Sequence, residues 1–164
     1  MRVLVTGVSG NVGGEIANCL ANAGWQVVGL SRKPINDMRG MVQKLHFDLG
    51  SSLLAEKVCM VTSPCVAIVH AAASLDKDLY SSTISLTNCL GTQQVLRLAR
   101  IWNSSRIVYI SSIGVIGTPR QLPITEEHPV NPSTSYHASK LFGEYLMQLA
   151  NTEVLSCATL RLTS

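Results

Sequence analysis

The chain has 164 residues, of which 46% are hydrophobic and only 14% charged, with a net charge of +3. That length suits one domain with a sizeable core. The small, scattered positive charge argues against a nucleic-acid partner, because Arg97, Arg100 and Arg106 form no run and no aromatic residues interleave with them. The chain shows no secretory h-region and no apolar run of membrane length, and its five cysteines include no Cys-x-x-Cys pair. These features lead us to expect a cytoplasmic protein without a membrane partner. His46, His70, His128 and His137 show no metal-ligand spacing, so no metal is expected. The apolar excess exceeds what buried parallel strands require and suggests surface covered by a partner subunit or by further chain.

Apolar runs alternate with helical patterns from end to end, which predicts an α/β fold with a mostly parallel sheet. Strands are expected at Arg2–Thr6, Gln26–Ser31, Val42–Phe47, Val66–His70, Arg106–Ser111 and Val154–Arg161. Helices are expected at Val12–Ala23, Leu53–Val61, Leu79–Trp102 and Ser133–Asn151, the first ended by Gly24. The third carries an apolar stripe of Leu86, Leu90, Val95, Leu98 and Ile101. Between Ser112 and Thr134 lies a long segment with four prolines and two glycines, and loops of that length in compact α/β domains are usually functional.

The first strand runs into Thr6-Gly7-Val8-Ser9-Gly10-Asn11-Val12-Gly13 and then a helix, the arrangement of a nucleotide-binding βα unit. Gly7 turns the chain off the strand, Gly10 lets backbone amides approach a pyrophosphate, and Gly13 lets the helix pack close. Gly7, Gly10, Asn11, Val12 and Gly13 are therefore candidate cofactor-binding residues, with the helix N-terminus facing the phosphates. At the end of the second strand Ser31 stands 18 residues beyond Gly13, where an acid would hold the ribose 2′-hydroxyl of NAD. Ser31-Arg32-Lys33 offers a hydroxyl and two cations instead, which suits the 2′-phosphate of NADP; read otherwise, Arg32 and Lys33 are solvated turn residues. Asp48 fits two roles equally, an acceptor for the adenine amino group or a cap of the following helix.

Tyr136 and Lys140 are four residues apart and share a helical face. An ammonium beside a phenol would draw its pKa down from near 10 toward working range. Ser112, past the fifth strand, ends at the carboxyl edge of the sheet, where open α/β folds bind ligands, and could hold a substrate oxygen while Tyr136 moves the proton.

Several motifs together resemble the extended short-chain dehydrogenases/reductases of the NAD(P)-dependent epimerase/dehydratase type. They are Thr6-Gly7-x-x-Gly10-x-x-Gly13, Asp48-Leu49, Val69-His70-Ala71-Ala72-Ala73, Asn88-x-x-Gly91-Thr92, Tyr109-Ile110-Ser111-Ser112 and Tyr136-His137-Ala138-Ser139-Lys140. The approach segment Pro123–Pro129 is similar to the sugar-nucleotide epimerase branch. The resemblance implies a doubly wound sheet in the order 3-2-1-4-5-6, with Ser112, Tyr136 and Lys140 catalytic. It further implies that Lys140 binds the nicotinamide ribose and that Leu49, Ala71, Ala72 and Ala73 join Asp48 at the cofactor. Asn88 matches a helix asparagine that positions the site, or else lies on a helix surface. Ile113-Gly114 follow Ser112 where some dehydratases carry an Asp-Glu pair, which disfavours 4,6-dehydratase chemistry.

Residues 1–164 are thus expected to form one cofactor-binding domain. The sequence stops after Leu160–Ser164, where family members continue into a substrate lobe, so it is either a fragment or a naturally short protein. The expected activity is reversible hydride transfer at a carbinol carbon with NADP, or NAD, first as a nucleotide-sugar epimerase and second as a ketone or aldehyde reductase. A dinucleotide-binding module without turnover and an interaction protein docking through the third helix are the rivals. The resemblance also implies a homodimer in which the third helix and the one carrying Tyr136 pair across a two-fold axis.

Overall fold

The computed structural model describes residues 1–34 and 40–163. In chain order the elements are β1 (Arg2–Thr6), α1 (Asn11–Asn22), β2 (Gln26–Ser31), β3 (Met41–His46), α2 (Leu54–Val61), β4 (Ala67–His70), a π-helical turn (Ser85–Leu90) running directly into α3 (Gly91–Trp102), β5 (Arg106–Ser112), a 3₁₀ turn (Ile113–Ile116), α4 (Ser135–Ala150) and β6 (Ser156–Leu162). The six strands form one parallel sheet in the expected order β3-β2-β1-β4-β5-β6.

Side chains alternate across a strand, and this sets the two halves of the core. From β1, Val3 and Val5 point to the face covered by Ala17 of α1. Leu4 points to the other, where Leu54, Val95, Leu98 and Met147 from α2, α3 and α4 pack with Ile68 and Ile107. Each such side chain, fully buried, contributes about 1.5–3 kcal/mol. The apolar stripe expected on the third helix divides accordingly: Val95 and Leu98 are buried against the sheet, whereas Leu86 and Ile101 are 45% and 48% exposed. It is therefore not a single docking face. α4 adds Phe142, Tyr145 and Leu149 to the exposed apolar surface.

Three boundaries differ from expectation by two residues or more, each for a local reason. Residues 79–80 form a turn and the helix runs over 83–102. Asp76 accepts from the Asp78 amide, Asp78 from the Tyr80 amide and Ser81 from the Thr83 amide, so side chains satisfy the backbone that a helix would have used. α4 begins at Ser135 because Thr134 caps it, accepting from the His137 amide at 3.1 Å. β6 begins at Ser156, and Asn151 Oδ1 takes the Cys157 amide at 2.9 Å. Ser164, expected to close the sixth-strand segment, lies outside the described residues.

Candidate active site

The strand order reverses between β1 and β4, and the crevice at such a switch point is where open α/β sheets bind ligands. A cleft of about 420 Å³ opens there. Gly7, Gly10, Ser31, Arg32, Lys33, Asp48, Leu49, Ala71, Ala72 and Ala73 of the expected residues line it. Asn11, Val12 and Gly13 stand behind it as the first turn of α1.

The floor is wound backbone. Gly7 takes φ +75°, its amide bonds the Leu30 carbonyl at 2.8 Å, and the Gly10 amide returns to the Gly7 carbonyl at 2.9 Å. A Cβ on Gly7 would lie 2.7 Å from Ala72 Cα, and one on Gly13 would run into the Gly7 carbonyl oxygen. The N-cap of α1 is Gly10, which brings no side chain to its first-turn amides. Those amides and the helix dipole are available to an anion.

At the end of β2, Ser31 Oγ lies 2.5 Å from Ser9 Oγ and accepts the Lys33 amide at 3.1 Å. Arg32 and Lys33 are exposed at the cleft rim. Asp48 is not the cap of α2: the residue before that helix is Leu53, and no side chain caps it. Asp48 Oδ1 instead accepts the Gly50 amide at 2.9 Å, holding a turn at the cleft wall.

The second group lies at the β5 end of the same edge. Ser112 is the last residue of β5, and its hydroxyl accepts the Gly114 amide at 3.2 Å. Tyr136 and Lys140 sit one turn apart in α4, Tyr136 half-buried and Lys140 2% exposed. Their electrostatics correct the expectation from spacing. The Lys140 ammonium lies 4.3 Å from the centre of the Tyr109 ring, a cation–π contact. Burial pulls Lys140 down to about 8, with Glu144 opposing that pull. Burial pushes the Tyr136 phenol above its ordinary value. The shared helical face is present, but the ammonium is directed toward β5 rather than lowering the phenol.

Asn88 is buried, not a surface residue. It stands in the π-helical turn, where its Oδ1 accepts the Ser74 amide at 2.7 Å and its Nδ2 donates to the Ser74 carbonyl at 3.0 Å and to Ser139 Oγ at 2.9 Å. π-turns within helices cluster at functional sites.

Several contributors escape sequence reasoning. Glu144 takes Ser111 Oγ at 2.5 Å and a two-pronged ion pair from Arg161, tying α4 to β5 and β6. Its spacing of four from Lys140 was visible, but the partner strands were not. Thr6, His70, Thr92 and Ser139 form buried polar links between the cleft wall and α4. Among the described residues no group of three or more His, Cys, Asp or Glu is arranged to hold a metal. No described helix is long and apolar enough to cross a membrane.

The model of the NAD dependent epimerase/dehydratase family matches residues 3–164. The chain belongs to that family. It is 32% identical over 177 residues to the UDP-glucose 4-epimerase of Mycolicibacterium smegmatis, covering 96% of this chain and 54% of that protein. The Bordetella bronchiseptica enzyme WbmH, solved in complex with NAD+, superposes with a TM-score of 0.86 at 30% identity, covering 99% of this chain and 56% of that one. The UDP-glucose 4-epimerase from Bifidobacterium longum, solved with NAD+ and UDP, gives 0.84 at 25% identity over 98% and 52% of the two chains. This member of the epimerase/dehydratase family thus spans about half the length of the relatives it matches.

Proposed function

We propose that this chain is the cofactor-binding and proton-transferring part of a cytoplasmic nucleotide-sugar epimerase that uses NADP in preference to NAD. The observation that carries the reading is the pairing, along one sheet edge, of the glycine-floored cleft with Ser112, Tyr136 and Lys140. The cleft suits a dinucleotide: its floor is close-packed backbone, in which a Cβ on Gly7 or Gly13 would collide with Ala72 or with the Gly7 carbonyl, and the first turn of α1 offers uncapped amides to a pyrophosphate. Ser31, Arg32 and Lys33 favour a 2′-phosphate, although the Bordetella relative was solved with NAD+.

A bound nicotinamide supplies the hydride acceptor and donor. The protein's own residues do the rest. Tyr136 takes the proton from the carbinol oxygen and returns it, and Ser112 orients that oxygen by a hydrogen bond. Lys140 has no hydrogen-bond acceptor for its ammonium among the described residues, and it would find one in ribose hydroxyls. The same charge, brought between ribose and phenol, would then counter the burial that raises Tyr136. Asn88, with both amide hydrogens engaged, fixes the turn of α4 that carries Tyr136.

Titration of Trp fluorescence with NADPH and NADH, followed by incubation with UDP-galactose and either oxidised cofactor, NADP+ or NAD+, tests this reading. Saturable binding with formation of UDP-glucose and no net cofactor consumption is expected. Net oxidation of NADPH on simple ketones alone would replace the epimerase with a reductase, and absence of dinucleotide binding would overturn both. A homodimer through the exposed apolar residues of α3 and α4 completes the proposal. Light scattering over a concentration series should return a stable dimer mass, lost in Tyr145→Glu; a monomer at high concentration refutes it.

A further inference from the structure

His70 is the last residue of β4, wholly buried and in register with Thr6 of β1 on one side and Tyr109 of β5 on the other. Its ring lies between two hydroxyls, with Nδ1 2.8 Å from Thr6 Oγ1 and Nε2 3.0 Å from Thr92 Oγ1. What those hydroxyls already do sets the direction of each bond. Thr92 donates its single proton to the Asn88 carbonyl at 2.6 Å, so toward His70 it can only accept, and Nε2 must carry the hydrogen. A neutral ring then presents Nδ1 as an acceptor, which the Thr6 hydroxyl fills. Thr6 Oγ1 in turn accepts the Ala72 amide at 3.2 Å.

The chain continues past Asn88, whose side chain grips Ser74 and Ser139, and Ser139 donates to the Tyr136 carbonyl at 2.7 Å. Ala72 and Ser74 both line the dinucleotide cleft, and Tyr136 stands in the first turn of α4. We propose that His70 is a positioning residue: a neutral, Nε2-protonated imidazole that joins the cleft wall at Ala72–Ser74 and the Tyr136 turn of α4 into one directed hydrogen-bond chain. Its two ring nitrogens take opposite roles, Nδ1 accepting from Thr6 and Nε2 donating to Thr92. A protonated ring would strand the Thr6 hydroxyl hydrogen in a buried place. Burial and the nearby Lys140 charge hold His70 down at about 3, so the neutral form persists at working pH.

The consequence for ligand binding rests on the dinucleotide reading above; the hydrogen-bond chain does not. Long-range ¹H–¹⁵N correlation on the His70 ring of this protein should show the neutral Nε2–H form at pH 7 and at pH 5. An Nδ1–H or protonated ring at either pH overturns the proposal. Thr92→Val keeps the side-chain shape and removes the acceptor. It should mix the two tautomers, speed exchange of the Ala72 amide and weaken NADPH about tenfold, whereas Thr92→Ser should restore all three. A Thr92→Val protein indistinguishable from the parent would reduce His70 to packing. Should the parent itself bind no dinucleotide, the functional reading fails, while the tautomer and exchange measurements still decide the role of His70.

Discussion

The two ends of the sheet's carboxyl edge are built from different material. At the β1 end the groups offered to a ligand in the reading proposed above are mostly backbone: Gly7, Gly10 and the first turn of α1 present amides whose geometry follows from the chain path alone. At the β5 end they are side chains, Ser112, Tyr136 and Lys140, and what each can do depends on what surrounds it. A backbone amide keeps its donor character in any environment. A phenol or an ammonium does not, and here burial works against both, raising Tyr136 and lowering Lys140. Binding can therefore be complete in the fold while chemistry still depends on how charge is arranged within it.

The sharpest way to separate the two ends is Tyr136→Phe. If the phenol moves the proton, turnover of a nucleotide sugar should fall by about 10²-fold or more with NADPH affinity nearly unchanged. Lys140→Ala should lower both. A Tyr136→Phe protein that keeps most of its rate would dissolve the distinction between a binding end and a chemical end.

Lys140 tests the same contrast through stability. Its folded value of about 8 lies below the ordinary 10.5, so between those two pH values the unfolded chain holds a proton that the folded chain has released. Stability should rise with pH across that window, and below pH 8 the full cost of the buried charge, about 3 kcal/mol, is present. Lys140→Met keeps the stem and removes the charge. The variant should be more stable than the parent at pH 7 by about 1–3 kcal/mol in urea titrations, with the gap closing above about pH 10.5. A variant less stable at pH 7 would mean that the Tyr109 contact outweighs desolvation.

The contrast also explains what could be read from the sequence. The glycine turn was legible because its path depends on residues whose spacing is local and which carry no side chain. Strand order followed from the alternation of elements and from the resemblance. The start of the helix over 83–102 was misjudged because Asp76, Asp78 and Ser81 serve the backbone themselves, and no hydrophobic period reports that. At the β5 end, spacing placed Tyr136 and Lys140 on one face but could not show where the ammonium goes. That is decided by Tyr109, 31 residues upstream on β5. Asn88 likewise had two readings until Ser74, in the segment after β4, and Ser139 of α4 closed on it.

A smaller effect is expected at the cleft rim, where side chains do enter the β1 end. Arg32→Ala should weaken NADPH by about 1–3 kcal/mol, the range for a lost charge-assisted partner, and leave NADH almost unchanged. Equal loss for both cofactors would show that Arg32 reads no phosphate.

Smaller still is the effect expected at Ser9, which touches the proposed cofactor-selecting position only through another hydroxyl. Ser9 and Ser31 share one hydrogen between their oxygens at 2.5 Å, and Ser31 Oγ also accepts the Lys33 amide. Whichever serine donates to the other, the pair keeps one hydroxyl hydrogen free to point into the cleft. That leaves the rim rich in donors, which suits a phosphate better than a ribose hydroxyl seeking an acceptor. In Ser9→Ala, Ser31 still holds the Lys33 amide and can turn its own hydrogen toward the ligand, so only one hydrogen bond's net worth is lost. NADPH affinity should fall by about 0.5–1.5 kcal/mol, less than in Arg32→Ala, and calorimetric titration of the two variants side by side measures the difference. A Ser9→Ala loss as large as that of Arg32→Ala would put the hydroxyl pair, rather than the guanidinium, at the centre of cofactor choice.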